Sequence, residues 1–374
     1  MKRRFTALMV MLLAFALLIS TTAIPASAAT TYTSIGGETT FVKNLVADED
    51  ANIPDITFSY TIRRGTPVSA TPSTIEILVS VAGGGEIGQA EFTNADTTNT
   101  ISGLPTDADP LNPTPGKKYA QKEVSITFPT TSFTKPGVYR YEITEKTTPA
   151  LPGVTYDADL IRYLDVFVVA DENDVLSVSN YVFRKAPTNI KKDGNYETNP
   201  NEKSAGYINE LTQYDFEFSK TIAGNQGDKN KRFNFSLNIT DANPGTYPVV
   251  TNDVTGNPTS ITIDASGTEN AEYSLTDGSS VKIIGLNAGA VCTVTENAED
   301  YTATHSLDGA AAVSGNTSGL VTLANDNHSV AFTNTRNGVI PTGVIMTIAP
   351  FAIGICVFGA VIIFIICRRK RRNY

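Results

Sequence analysis

Three polar residues recur on the apolar faces of short alternating segments, once in each half of the chain, and no other feature of the sequence constrains the fold as strongly. A strand turns successive side chains to opposite faces. By that parity Phe41, Lys43 and Leu45 share a face, as do Tyr139, Tyr141, Ile143 and Glu145, and as do Tyr207, Asn209 and Leu211. The second half repeats the order. Phe216, Phe218, Lys220 and Ile222 share a face, with Asp215, Glu217 and Ser219 on the other. Ala290, Cys292, Val294 and Glu296 share a face, and so do Val330, Phe332 and Asn334. A lone buried ammonium or carboxylate is costly, and buried polar groups have partners. Each half is therefore expected to bring a lysine from its opening strand, a glutamate from a late strand and an asparagine from its closing strand together in a core. Snorkelling of a lysine stem to solvent accounts for one such segment. It does not account for six matching positions in the same order.

The rest of the chain between its two apolar ends also reads as strands. Val124 to Phe128, Val138 to Thr144, Leu164 to Val169 and Ser260 to Ile263 are rich in β-branched and aromatic residues. Turn-forming clusters separate them: Asn112 to Gly116, Asp171 to Asp174 and Asp241 to Gly245. No long amphipathic helix is evident, so the expected class is all-β, built as sandwiches. The boundary between the halves falls near Leu211 to Tyr214, giving domains over 29–212 and 213–337. The stretch from Thr66 to Pro115 is loop-rich and has no functional reading.

The three residues have a chemistry in common. Desolvation lowers a lysine pKa and raises a glutamate pKa. A neutral amine is a nucleophile. A protonated glutamate, hydrogen-bonded to the asparagine amide oxygen, would polarise that carbonyl and shuttle protons while ammonia leaves. The product is a Lys–Asn amide bond joining the first strand of a domain to its last. Like a disulfide it closes a long loop, but no reductant cuts it. Such a covalent tie is otherwise missing, because Cys356 and Cys367 lie in a C-terminal apolar run and leave Cys292 alone in the exported part.

The two ends state the compartment. Met1-Lys2-Arg3-Arg4, an apolar run from about Phe5 to Ile19 and Ala26-Ser27-Ala28 have the order of a secretory leader, with cleavage expected after Ala28. At the other end, Val344 to Cys367 is uncharged and long enough to span a bilayer as a helix. Arg368 to Arg372 follows and holds that end in the cytoplasm. Immediately before the span stands Ile340-Pro341-Thr342-Gly343.

Charge narrows the partners. Of 29 basic residues, three fall in the leader and five in the tail; the remaining 21 face 38 acidic ones, a net charge near −17 on the mature part. Such a surface disfavours nucleic acid and anionic lipid. A content of 41% hydrophobic residues argues for packed cores rather than disorder. His305 and His328 lack metal-ligand spacing. Cys292 reads as a small buried hydrophobe, Asp171 to Asp174 as a hairpin turn and Gly83 to Gly85 as a loop. No cofactor or metal is expected, and no turnover enzyme: the crosslinking chemistry happens once per site.

Motif, span and basic tail together resemble the cell-wall sorting signal read by sortases, in the shorter form carried by pilin subunits. Gly137 to Glu145 and Phe332-Thr-Asn334-Thr-Arg336 resemble the motifs of streptococcal-type major (backbone) pilins with isopeptide-linked domains. The resemblance implies two tandem Ig-like, CnaB-type sandwiches. It implies the triads Lys43, Glu145, Asn209 and Lys220, Glu296, Asn334, with Glu145 and Glu296 as the catalytic groups. It implies that a sortase cysteine attacks the Thr342 carbonyl and that the acyl group passes to a lysine of the next subunit. That acceptor is assigned to Lys203, with Lys191 and Lys192 as rivals in the same loop. The implied partners are sortase, identical subunits, minor pilins, peptidoglycan and possible host ligands. A monomeric wall-anchored adhesin or a minor pilin is the alternative.

Overall fold

The computed structural model describes residues 31–104, 115–197 and 203–338, with Ile362. Within them the chain is all-β, and the one helical piece before the second half is the 3-10 turn Ile101–Gly103. No helix among the described residues is long and apolar enough to cross a membrane. The leader expected over 1–28, the motif Ile340 to Gly343 and, Ile362 aside, the apolar span expected over 344–367 lie outside the described residues.

In the first half two sheets face each other. One runs Thr33–Ser34, Val175–Arg184, Ile161–Ala170, Gly137–Glu145, Tyr60–Arg64, with Ile77–Leu78 also on Gly137–Glu145. The other runs Val154–Thr155, Gly206–Leu211, Gly37–Asp48, Lys117–Phe128, Glu86–Ile87. Phe41, Leu45, Val124 and Ile126 from the second sheet pack on Tyr139, Tyr141, Leu164 and Val166 from the first. Alternation in the sequence thus becomes one apolar layer between two sheets. The Thr66 to Pro115 stretch supplies, where described, only short strands and turns.

The lysine strand is not quite the opening one. Thr33–Ser34 precedes it and pairs in parallel with Val175–Arg184 in the opposite sheet. Two residues are too few to show periodicity, so the sequence does not announce this strand. The Asp171 turn behaves as expected: the Asp171 carboxylate accepts from the backbone of Asn173 and Val175, and Asp174 takes φ 59°.

The second half has a seven-stranded sheet, Ser260–Ile263, Gly245–Thr251, Ser280–Asn287, Gln213–Ala223, His328–Thr335, Thr302–Leu307, Val313–Ser314. A four-stranded sheet faces it: Glu269–Leu275, Phe233–Thr240, Val291–Glu296, Val321–Thr322. Phe216, Phe218, Val330 and Phe332 meet Phe235, Leu237, Tyr273 and Val294 between them. Cys292 is fully buried there, and burial pushes its thiol pKa well up.

Only Thr212 separates the last strand of the first half from Gln213–Ala223. The Gln213 side chain ties both halves: its Oε1 accepts from Asp48 N at 3.3 Å, and its Nε2 donates to Asn52 O at 3.3 Å and Gly285 O at 2.7 Å. Asn52 Nδ2 donates to Thr246 O at 2.7 Å across the same junction.

Candidate functional site

Strand register places the lysine and the asparagine. In the first half the closing strand Gly206–Leu211 lies parallel to Gly37–Asp48, with Tyr207 opposite Lys43, so Asn209 stands two residues further along the same face. In the second half His328–Thr335 lies parallel to Gln213–Ala223, with Phe332 opposite Lys220, so Asn334 stands two residues further along. The diagonal offset is identical, and diagonal neighbours are within reach of a long side chain. Close approach of the first pair needs Gly206: a Cβ there would fall 1.6 Å from Val42 O.

The glutamates arrive from the facing sheets, each at the last residue of its strand, Gly137–Glu145 or Val291–Glu296. Lys43 Nζ is 2.6 Å from Glu145 Oε1, and Lys220 Nζ is 2.6 Å from Glu296 Oε1, with all four side chains sealed from solvent. Beyond its glutamate, neither Nζ has a hydrogen-bond partner among the described residues. Asn209 Nδ2 donates to Glu145 Oε1 at 3.2 Å, and Asn334 Nδ2 donates to Glu296 Oε1 at 2.8 Å. The six residues singled out by parity are therefore brought together three and three.

One expectation is corrected. The glutamates face the amide nitrogens of the asparagines, not their oxygens. In the first half the reason is visible: Asn209 Oδ1 is occupied by the backbone N–H of Asp157 at 2.9 Å. A backbone N–H needs an acceptor, which fixes the amide orientation.

The sequence also did not reveal the aromatic floor. Lys43 Nζ lies 4.5 Å from the Phe58 ring centroid, and Lys220 Nζ lies 4.4 Å from that of Phe233. Each ring covers the amine and keeps water away. Burial lowers the Lys43 pKa to about 8, against a partial upward pull from Glu145. Burial likewise lowers that of Lys220 and raises those of Glu145 and Glu296. A fully buried ion pair is expensive to desolvate, so the neutral amine and the carboxylic acid are within reach of one another by a single proton transfer. The glutamate then sits against both nitrogens of the exchange, the one that attacks and the one that leaves.

This geometry carries a pH prediction. Lys43 in the folded, uncrosslinked chain has a pKa near 8 against 10.5 unperturbed. Between these values the unfolded chain holds a proton that the folded chain has lost, so stability of the uncrosslinked form rises with pH across that window. An amide nitrogen does not titrate there. The gap in Tm between the unaltered chain and Asn209→Ala should narrow from pH 8 to 10; a constant gap would remove the neutral-amine argument.

Lys203, Lys191 and Lys192 are all exposed. Lys203 forms a backbone bridge to Arg184, next to the buried Ser204. Lys191 opens a turn closed by Gly194 N to Lys191 O at 2.9 Å, and Lys192 N donates to Ser73 O at 3.0 Å. Residues 198–202 lie outside the described residues. His305 packs against the Phe332 ring, His328 pairs with Asp308 at 2.7 Å, and no group of three or more metal-ligating side chains occurs among the described residues.

Paired sheets with a lysine and an asparagine on adjacent parallel strands, and a glutamate reaching across from the facing sheet, occur in both halves. The family comparisons agree for the first half: residues 39–209 match the Spy0128-like isopeptide containing domain. Residues 214–336 match a domain of unknown function, DUF7601. A curated protein described as pilin from Streptococcus pyogenes serotype M1 is 27% identical over 356 residues, covering 90% of this chain and 92% of the relative. The major pilin of Streptococcus pyogenes shares the fold at 23% identity and TM-score 0.51, covering 81% of this chain and 99% of that one. The T3.2 major pilin of the same species does so at 19% identity and TM-score 0.54, with 81% and 99% covered. The first half thus matches an isopeptide-containing domain model, and the chain over most of its length is similar to a streptococcal pilin.

Proposed function

We propose that this chain is the repeating shaft subunit of a covalently polymerised surface pilus. Its two halves, read as Ig-like CnaB-type sandwiches, are each locked by a self-formed amide bond, Lys43–Asn209 and Lys220–Asn334, with Glu145 and Glu296 as proton shuttles. Subunits are joined by sortase through the Thr342 acyl group and an acceptor lysine, for which Lys203 is the choice ahead of Lys191 and Lys192. The crosslinking runs once per site, and the protein is otherwise a sortase substrate rather than an enzyme. What carries the reading is the repetition of one lysine–glutamate–asparagine geometry, with the same strand offset, in both halves.

Polymerisation is tested on cell-wall extracts boiled in detergent. A ladder of high-mass species is expected, reduced to monomer by Lys203→Arg and unchanged by Lys191→Arg or Lys192→Arg. A single monomer band from the unaltered chain would instead favour a wall-anchored adhesin or a minor pilin.

A further inference from the structure

The first crosslinking site contains a group that the second lacks. Asp157 lies in the loop between Val154–Thr155 and Ile161–Ala170, and its backbone N–H points at Asn209 Oδ1 from 2.9 Å. Its side chain is held on every side. Asp157 Oδ2 accepts from Ile208 N at 3.0 Å and from Arg162 Nη2 at 2.9 Å, and Oδ1 accepts from Asp159 N at 2.9 Å. Arg162 is fully buried. Its Nε donates to Ser204 Oγ at 3.0 Å, its Nη1 donates to Asp159 O, and its guanidinium lies 4.8 Å from the Tyr207 ring centroid. In the second half Asn334 Oδ1 is buried and has no hydrogen-bond partner among the described residues.

We infer that the Asp157 backbone amide is the oxyanion donor for the Lys43–Asn209 bond, set in place by the buried Asp157–Arg162 pair, and that the first half therefore crosslinks faster than the second. The inference rests on the crosslinking reading above. Neutral Lys43 Nζ adds to Asn209 Cγ, and the carbonyl electron pair moves onto Oδ1, where the N–H already waits. Glu145, holding the proton that Lys43 gave up, passes it to Nδ2, which donates to Glu145 in the ground state, and takes in turn the proton that Nζ sheds. The Cγ–Nδ2 bond breaks as the carbonyl re-forms, and ammonia leaves. No oxidant or co-reactant is needed. A donor aligned in advance acts where charge develops and needs no reorganisation in a water-free site. Asp157 and Arg162 side chains are positioning residues; the N–H touches the reacting group.

A plain field effect of Asp157 has the opposite sign. Its carboxylate favours the protonated form of Lys43, so deleting the charge alone would free more neutral amine and speed the reaction. Loss of the positioned donor slows it.

The test is a short pulse of cell-free translation of the full-length chain in mild detergent, chased and digested, with both crosslinked peptides followed by mass. The Lys43–Asn209 peptide should appear before the Lys220–Asn334 peptide. Asp157→Ala should slow the first by about tenfold or more, since losing an oxyanion donor outright costs roughly 10²–10³ in rate, and leave the second unchanged. Ser204→Ala, which removes one hydrogen bond from Arg162, should slow the first by a smaller factor. Melting of Glu145→Ala with and without Asp157→Ala separates slow chemistry from lost folding; if the pair does not fold, Ser204→Ala decides. Equal or faster appearance of the first peptide in the folded variants overturns the inference. Absence of that peptide from the unaltered chain overturns the crosslinking reading itself.

Discussion

Corrected for the Glu-to-Ala mass difference, Glu145→Ala should leave the purified fragment 29–342 one ammonia heavier than the unaltered protein, and Glu145→Ala with Glu296→Ala two heavier. The unaltered mass should itself be short by two ammonia equivalents. The effect is all or none because each glutamate is, among the described residues, the only carboxylate in contact with its lysine and its asparagine, at 2.6 and 3.2 Å in the first site and 2.6 and 2.8 Å in the second. Without it the amine has nowhere to place a proton, and the leaving nitrogen has none to receive. General acid–base help of this kind contributes roughly 10²–10⁴ in rate, and no water reaches these side chains to substitute. The two sites belong to separate cores, so the single variants should each restore one ammonia and no more. An unaltered protein with the full uncrosslinked mass would remove the chemical core of the proposal. A shortfall of one would show that a single site reacts, and the glutamate variants would identify it.

The triads were legible because parity converts sequence position into a face. Lys43, Glu145 and Asn209 each fall among residues whose apolar neighbours at i±2 commit that face to the core, and the same holds for Lys220, Glu296 and Asn334. The four strands expected from β-branched and aromatic runs all fall within observed strands. What parity could not supply is anything off a strand. Asp157 sits in a loop, where neither period applies, and the group that matters there is a backbone N–H, which every residue except proline carries. Arg162 is the second residue of a strand but answers to Asp157, five residues before it, through a turn that composition does not encode. Phe58 and Phe233 read as ordinary core aromatics; only the packing shows each ring beneath an ammonium. The orientation of the asparagine amides followed from these unseen groups, and so the sequence put the glutamate on the wrong end of the amide.

Asn209→Ala should lower the Tm of the first half by about 10–20 °C. The bond would close the chain from Lys43 to Asn209, a loop of about 170 residues. Chain-entropy treatment of a crosslink that long gives roughly 5 kcal/mol. A domain of this size shifts about 2–4 °C per kcal/mol. Asn334→Ala opens a loop from Lys220 to Asn334, and because the dependence is logarithmic its entropic loss is nearly as large. The first site loses more for a second reason. Removing Asn209 also orphans the buried Asp157 N–H, at about 1–3 kcal/mol, whereas Asn334 Oδ1 has no partner to abandon. The two losses should add in the double variant, since the triads lie in different cores. Reductant should change none of these values, because the only cysteine among the described residues, Cys292, is free and buried. Calorimetry on the unaltered and Asn209→Ala proteins decides the matter: a difference of only one or two degrees would mean that the buried lysine, glutamate and asparagine are held by packing alone and that no covalent tie spans the first half.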